Sequence, residues 1–213
     1  MHQTPLKPTL STEEFTQICK DLEHFETPEW AARKILDHEI MTQFVLDPCA
    51  GTGVLTLAAC DFGYHVYAND IYDFTSKEEG KFELDSVGDF LSWSGNPIDH
   101  DFTVFMNPPF SKACEFVEKC FELGARKIVC FQRLAWWESA ERKEFWDKLP
   151  PNRIYICADR ATCWRHDLPK NEKGKRYDPK NGKELSGSPT AHAWFVWEKG
   201  NPSGTLIGHI RSK

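Results

Sequence analysis

The chain has 213 residues, 40% hydrophobic and 27% charged, with a formal net charge of −6. That suffices for one medium domain with a real core, and no apolar run reaches the roughly 18 residues a membrane helix needs. The opening "MHQTPLKPTLSTEE" lacks a basic region followed by an apolar one, so no secretory leader, no membrane contact and a cytoplasmic location are expected.

Residues 1–24 read as an N-terminal arm and a helix. In "STEEFTQICKDL", Ser11 can cap and Glu14 can reach back, a capping box. Phe15, Ile18, Cys19 and Leu22 fall on one helical face. "FETPEWAARKILDH" opens a second helix, with Thr27 expected as N-cap and Pro28 at the first helical position. "QFVLDPCAGTGVLTLAACDFGYHVYAND" reads as strand, glycine loop, helix and strand, a βαβ unit with a right-handed crossover. "SVGDFLSW" supplies a third strand or its trailing turn. "FTVFM" is a strand that stops at Asn107, "SKACEFVEKCFELG" a helix closed by Gly124, and "KIVCFQR" a strand. "ESAERKEFWDKL" is a charged amphipathic helix. "RIYICA" and "AHAWFVWEK" are the final strands. The alternation predicts an α/β fold over residues 25–213, with a mainly parallel sheet.

Residues 160–190, "RATCWRHDLPKNEKGKRYDPKNGKELSGSPT", break this alternation and read as a basic loop insertion. Residues 151–213 carry 12 Lys+Arg against 6 Asp+Glu, whereas residues 1–150 carry 14 against 26. Trp164 and Tyr177 lie among Arg165, Lys173, Lys175 and Arg176, a mixture suited to bases and phosphates. A solvated loop explains the same composition. The eight cysteines form no C-x-x-C pair, and the histidines form no H-x-x-x-H pair. Reduced, mostly buried thiols and no metal site are therefore expected.

Three strand ends carry the chemistry. "LDPCAGTG" runs a strand into a tight turn, where Gly51 and Gly53 let backbone approach a ligand. Its spacing is neither G-x-G-x-x-G nor a nucleotide-triphosphate loop. Asp70 ends the next strand, where a carboxylate can accept from two ribose hydroxyls. Asp89 and Phe90 follow at the third, placed for an adenine amine and ring. Together they outline a pocket for an adenosine-containing ligand.

With these motifs the chain resembles a class I S-adenosylmethionine-dependent methyltransferase, among the amino-methyltransferases with a [DNS]-P-P-[YFW] tetrapeptide. "FETPEW", "DPCAGTG" and "NPPF" occur in the order of gamma-type DNA adenine-N6 methyltransferases. "GSPTAHAWFVWEKG" resembles the last strand of small phage-associated members. The resemblance implies a Rossmann-like, mainly parallel seven-stranded sheet with helices on both faces and an antiparallel last strand. It implies S-adenosyl-L-methionine as cofactor. Asp47, Ala50, Gly51 and Gly53 would line its methionine end, and Phe25, Thr27 and Pro28 would close over it. Asp70 would hold the ribose, Ile71 would lie on the adenine, and Asp89 and Phe90 would touch it.

The tetrapeptide fits methylation of a conjugated amine. Such a nitrogen is a poor nucleophile because its lone pair is delocalised. Two acceptors aimed at its hydrogens favour the pyramidal transition-state geometry. Asn107 offers a side-chain oxygen and Pro108 a carbonyl. Pro108 and Pro109 fix the backbone. Phe110 gives a stacking face. The expected substrate is a nucleic acid, adenine N6 in DNA foremost. RNA bases, cytosine N4 and protein glutamine use the same tetrapeptide, and a non-catalytic adaptor is the reading from another class. Gamma-type restriction enzymes carry a sizeable target-recognition domain after the catalytic one. Here the chain ends soon after its last strand. Recognition is therefore short and relaxed, or a partner protein supplies it, or the substrate is not duplex DNA.

Overall fold

The computed structural model describes residues 11–75, 82–187, 189–201 and 204–213. The expected arm over the first ten residues lies outside them. Elements follow in chain order: α1 (Thr12–Asp21), β1 (Phe25–Glu26), α2 (Glu29–His38), β2 (Phe44–Asp47), α3 (Val54–Asp61), β3 (His65–Asp70), β4 (Ser86–Val87), β5 (Phe102–Met106), α4 (Ala113–Glu122), β6 (Lys127–Arg133), α5 (Lys143–Lys148), β7 (Arg153–Cys157), β8 (Trp164–Arg165), β9 (His192–Glu198) and β10 (Leu206–Ile210). Short 3₁₀ turns occupy Phe90–Ser92, Phe110–Lys112, Leu134–Glu138 and Ala140–Arg142. Among the described residues, no helix is long and apolar enough to cross a membrane.

The chain divides into two compact units, of which Glu26–Cys163 with Ser186–Lys213 is the larger. Its eight-stranded sheet has the order β10-β7-β9-β6-β5-β2-β3-β4. Strand β9 is antiparallel to both β6 and β7, and the other pairings are parallel. This corrects two expectations. Among the described residues the sheet has eight strands rather than seven, and its antiparallel strand is the penultimate one. The additional β10 pairs parallel to β7 at the edge. Its sequence, "LIGHI", gives little sign of a strand, because Leu206 and Ile207 are exposed and Gly208 interrupts the side chains. Gly208 lies against the Tyr155 ring, which a Cβ would meet at 3.4 Å.

Buried runs explain the central strands. All five residues of β5 are buried, as a parallel strand covered on both faces requires. Alternate side chains go to opposite faces. On one face Phe102, Val104, Met106, Ile128, Cys130, Phe195 and Trp197 meet Ala113, Phe116, Val117 and Cys120 of α4. That helix forms because those four residues repeat at i, i+3, i+4 and i+7, and it ends at Gly124, φ +85°. Trp136 joins the same core, edge-on to Phe195 at 5.0 Å. On the other face Phe105 stacks on Trp194 at 5.1 Å. The expected charged helix is shorter than its pattern, since 3₁₀ turns precede α5.

A buried ionic cluster ties the base of the sheet to the end of α2. Glu39 is 3% exposed and meets Lys127 Nζ at 2.9 Å, Arg153 Nη2 at 2.8 Å and the Tyr155 hydroxyl at 2.8 Å. Glu198 closes the cluster, 2.7 Å from Arg153 and 3.2 Å from Lys127. Burial opposes the charge on Glu39, but Arg153 and Lys127 hold its carboxyl below the usual range.

The smaller unit combines Trp164–Leu185 with the N-terminal segment up to Phe25. Helix α1 carries the expected capping box, with Glu14 N–H donating to Ser11 Oγ at 3.2 Å and Ser11 N–H to Glu14 at 2.8 Å. The His166 ring packs edge-on to Phe15 at 5.8 Å and to His24 at 5.3 Å. Much of what reads as a basic loop is thus a folded element with its own contacts.

Candidate active site

The β2–α3 turn is shaped by its glycines. Gly51 and Gly53 hold φ of +55° and +86°, where other residues are strained. Gly53 also has no room for a side chain, since a Cβ would lie 2.0 Å from the Phe82 ring. The turn is bound to the neighbouring strand. Ala50 N–H donates to the Asn69 carbonyl at 2.9 Å, and Gly51 N–H to Asp70 Oδ2 at 2.8 Å. Asn69 is fully buried and its Nδ2 donates to the Pro48 and Gly88 carbonyls, both at 3.0 Å. It fastens the ends of β2, β3 and β4 together.

Two carboxylates, at the ends of β2 and β3, border this turn. Asp47 accepts from the Thr56 hydroxyl at 2.9 Å, and burial pushes its pKa up to about 7 despite that bond. Asp70 accepts from the Gly51 and Tyr72 N–H groups, and burial raises it to about 6. A buried acid pair of this kind gains from a cationic ligand, which restores both charges. Ile71 is 50% exposed and Val87, the register partner of Asp70, 58% exposed. These apolar residues at polar strand ends suit a flat ring.

Asp89 and Phe90 follow β4 in different settings, the first exposed and the second buried. Asp89 caps a 3₁₀ turn, accepting from Leu91 N–H at 3.0 Å. Phe90 is 2% exposed and packs on Phe116 at 5.2 Å within the core. Its ring face is therefore spent on packing.

Beside this turn, β5 delivers the tetrapeptide. Asn107 Nδ2 donates to Thr27 Oγ1 at 3.0 Å. The expected N-cap use of Thr27 is corrected: α2 starts at Glu29, its N-cap is Pro28, and the threonine hydroxyl goes to Asn107. That bond engages the donor end of the amide, so acceptor chemistry belongs to Oδ1. The Pro108 carbonyl accepts from Gln132 Nε2 at 3.1 Å, and Gln132 is 1% exposed. Pro109 leads into the 3₁₀ turn of Phe110–Lys112. Phe110 is half-buried, with the Arg133 guanidinium 4.5 Å above its ring and His192 6.1 Å away. Burial pushes the His192 imidazole down to about 4, with the Arg133 charge adding to the effect.

Gln132 and Arg133 escape a motif-based reading. Their signal is the one that marks Asn107: an apolar strand, "KIVCF", that turns polar at its end.

In the smaller unit, Phe25 is half-buried and Lys173 is exposed. Arg165 pairs with Asp167 at 3.0 Å, and Lys175 with Glu184 at 3.1 Å. Arg176 is 7% exposed and donates to the His166 carbonyl at 3.0 Å and to that of Leu168. It is a brace of this unit rather than a surface cation. The eight cysteines, all among the described residues, form no disulfide.

No protein-family model and no curated protein sequence matches this chain. Solved structures share its fold. The methyltransferase subunit of a type I restriction-modification system from Streptococcus thermophilus superposes with a TM-score of 0.54 at 12% identity, over 84% of this chain and 45% of that one. A predicted O-methyltransferase from Agrobacterium tumefaciens gives 0.52 at 13% identity, over 87% and 86%. The 23S rRNA methyltransferase ErmE gives 0.50 at 14% identity, over 84% and 71%. The likeness is one of fold: the chain has the α/β, Rossmann-like architecture of methyltransferases, on a mixed eight-stranded sheet.

Proposed function

We propose that this chain is an S-adenosylmethionine-dependent methyltransferase of the gamma-type, phage-associated kind, acting on the exocyclic amine of a nucleobase, adenine N6 in DNA foremost. The observation that carries the reading is the bracing of the tetrapeptide. Thr27 takes the Asn107 amide nitrogen and Gln132 holds the Pro108 carbonyl, with a half-buried ring beside them. A turn would need neither brace. The names of two structural neighbours, a restriction-modification subunit and an rRNA methyltransferase, point the same way.

The residues present fit the cofactor. Asp47 and Asp70, both raised by burial, suit its positive charge, and exposed Ile71 and Val87 suit its adenine. Ala50, Gly51 and Gly53 would lie along its methionine end, with Thr27 and Pro28 closing over it. When bound, S-adenosylmethionine supplies an electrophilic methyl group on a charged sulfur.

The chain's own groups would do the rest. Asn107 Oδ1 and the Pro108 oxygen accept the two amine hydrogens and turn the lone pair toward the methyl carbon. Phe110 fixes the plane of the base. A base in a duplex must first leave its stack. The new N–C bond would replace the methyl–sulfur bond, whose electron pair stays on sulfur, and the nitrogen would give up one proton to water. Lys173 and Lys175 would meet phosphates.

The test is transfer of labelled methyl to unmethylated DNA, RNA and protein extract, followed by nucleoside mass spectrometry. N6-methyladenine in DNA is expected. Label in RNA or at cytosine N4 would move the target, and label in protein alone would overturn the reading.

A further inference from the structure

Arg133 stands at the end of β6, opposite His192 in the ladder, directly after the glutamine that holds the Pro108 carbonyl. Its side chain is exposed, yet its guanidinium lies 4.5 Å from the centroid of Phe110. Among the described residues it pairs with no carboxylate. A charge needed only for solubility would extend into water. This one is parked on the ring that the proposed reaction uses.

Resting on that reading, we propose that Arg133 selects a phosphodiester substrate. In the free protein its guanidinium covers Phe110, and on binding it yields that face to the target base and takes a phosphate of the same strand. An exposed cation–π contact is weak, whereas base–aromatic stacking and a guanidinium–phosphate pair are both stronger. The exchange therefore runs toward the bound state. It also disfavours neutral planar amides, since a protein glutamine offers no anion to draw the guanidinium away. Neighbouring His192 adds no competing charge near neutral pH, because its imidazole is held neutral by burial.

The test compares wild type with Arg133→Ala, Arg133→Lys and Arg133→Glu. Binding of an unmethylated DNA duplex is followed by anisotropy from about 50 to about 200 mM salt, with methyl transfer measured in parallel. For Arg133→Ala we expect DNA affinity about tenfold weaker and a log–log salt slope reduced by about one. The affinity for S-adenosylmethionine, measured by calorimetry on the same preparations, should be unchanged and shows that each variant is folded. Arg133→Lys should restore the slope and Arg133→Glu should weaken binding further. Wild-type affinity and slope in Arg133→Ala, with wild type active on DNA, would overturn this inference alone. Wild type that methylates protein and no nucleic acid would overturn the functional reading as well.

Discussion

Thr27 and Gln132 act on the two halves of one tetrapeptide: the first takes the Asn107 amide nitrogen, the second gives a hydrogen to the Pro108 carbonyl. The first bond makes Oδ1 the acceptor atom of the Asn107 amide, and the second uses one of the two lone pairs of the Pro108 oxygen. Replacing Gln132 with Leu would leave a buried carbonyl without its donor, a cost of about 1–3 kcal/mol. Expected are a modest fall in melting temperature and kcat lower by about tenfold, with cofactor affinity unchanged in calorimetry. An unaltered kcat would reduce Gln132 to packing. Thr27→Val should likewise lower kcat about tenfold, because the amide loses the partner that orients it. Asn107 was legible in the sequence, as a polar residue where a buried strand stops. Its two supports were not. They lie 80 residues upstream and, for Pro108, 24 residues downstream: the pairing of β6 with β5 brings Gln132 there, and Thr27 reaches Asn107 from the segment just before α2.

At the scale of the element, the β2–α3 turn joins backbone strain to charge. Gly53→Ala would force a side chain into the left-handed region and against Phe82. A loss of about 1–2 kcal/mol or more is expected in denaturant unfolding, with or without cofactor. The acids of this turn give a pH signature. Asp47 rises from 3.8 to about 7 and Asp70 from 3.8 to about 6. A raised carboxyl keeps its proton longer in the folded chain than in the unfolded one. Stability from these groups is thus fully present below about pH 4 and lost as pH rises through about 6 to 7. A cationic cofactor reverses this by favouring both charges. The rise in melting temperature on adding S-adenosylmethionine should therefore be larger at about pH 8 than at about pH 5.5. An equal rise at both would detach Asp47 and Asp70 from the cofactor. The turn itself was readable from its glycines and the strand ends from their runs. Sequence order cannot tell a ring that faces a ligand from one that packs on α4, as that of Phe90 does. Strand β10 is not marked in the sequence because an edge strand needs no continuous apolar run.

At the scale of the molecule, the large unit depends on charge buried at the foot of its sheet. Glu39→Ala would remove the more buried of the two carboxylates, Glu39 and Glu198, that Arg153 and the 7% exposed Lys127 share. Breaking such a cluster costs about 3–5 kcal/mol, so a melting temperature lower by roughly 6–20 °C is expected by calorimetry. The small unit makes a separate claim. Its positive character was visible in the sequence, but the free and structural cations were not separable there. Arg176 holds carbonyls, Arg165 pairs with Asp167, and Lys175 pairs with Glu184 on the surface. Changing Lys173 and Lys175 together to Ala should weaken DNA binding and reduce the magnitude of its salt slope by one to two, roughly one per phosphate contact. Changing Arg176 should unfold the unit instead.

The most direct test of the central claim is single-turnover methyl transfer to DNA from saturating S-adenosylmethionine, by wild type and by Asn107→Ala. The variant should bind the cofactor with wild-type affinity and transfer the methyl group at least about 100-fold more slowly, as loss of one preorganised acceptor implies. Transfer at the wild-type rate would contradict the account.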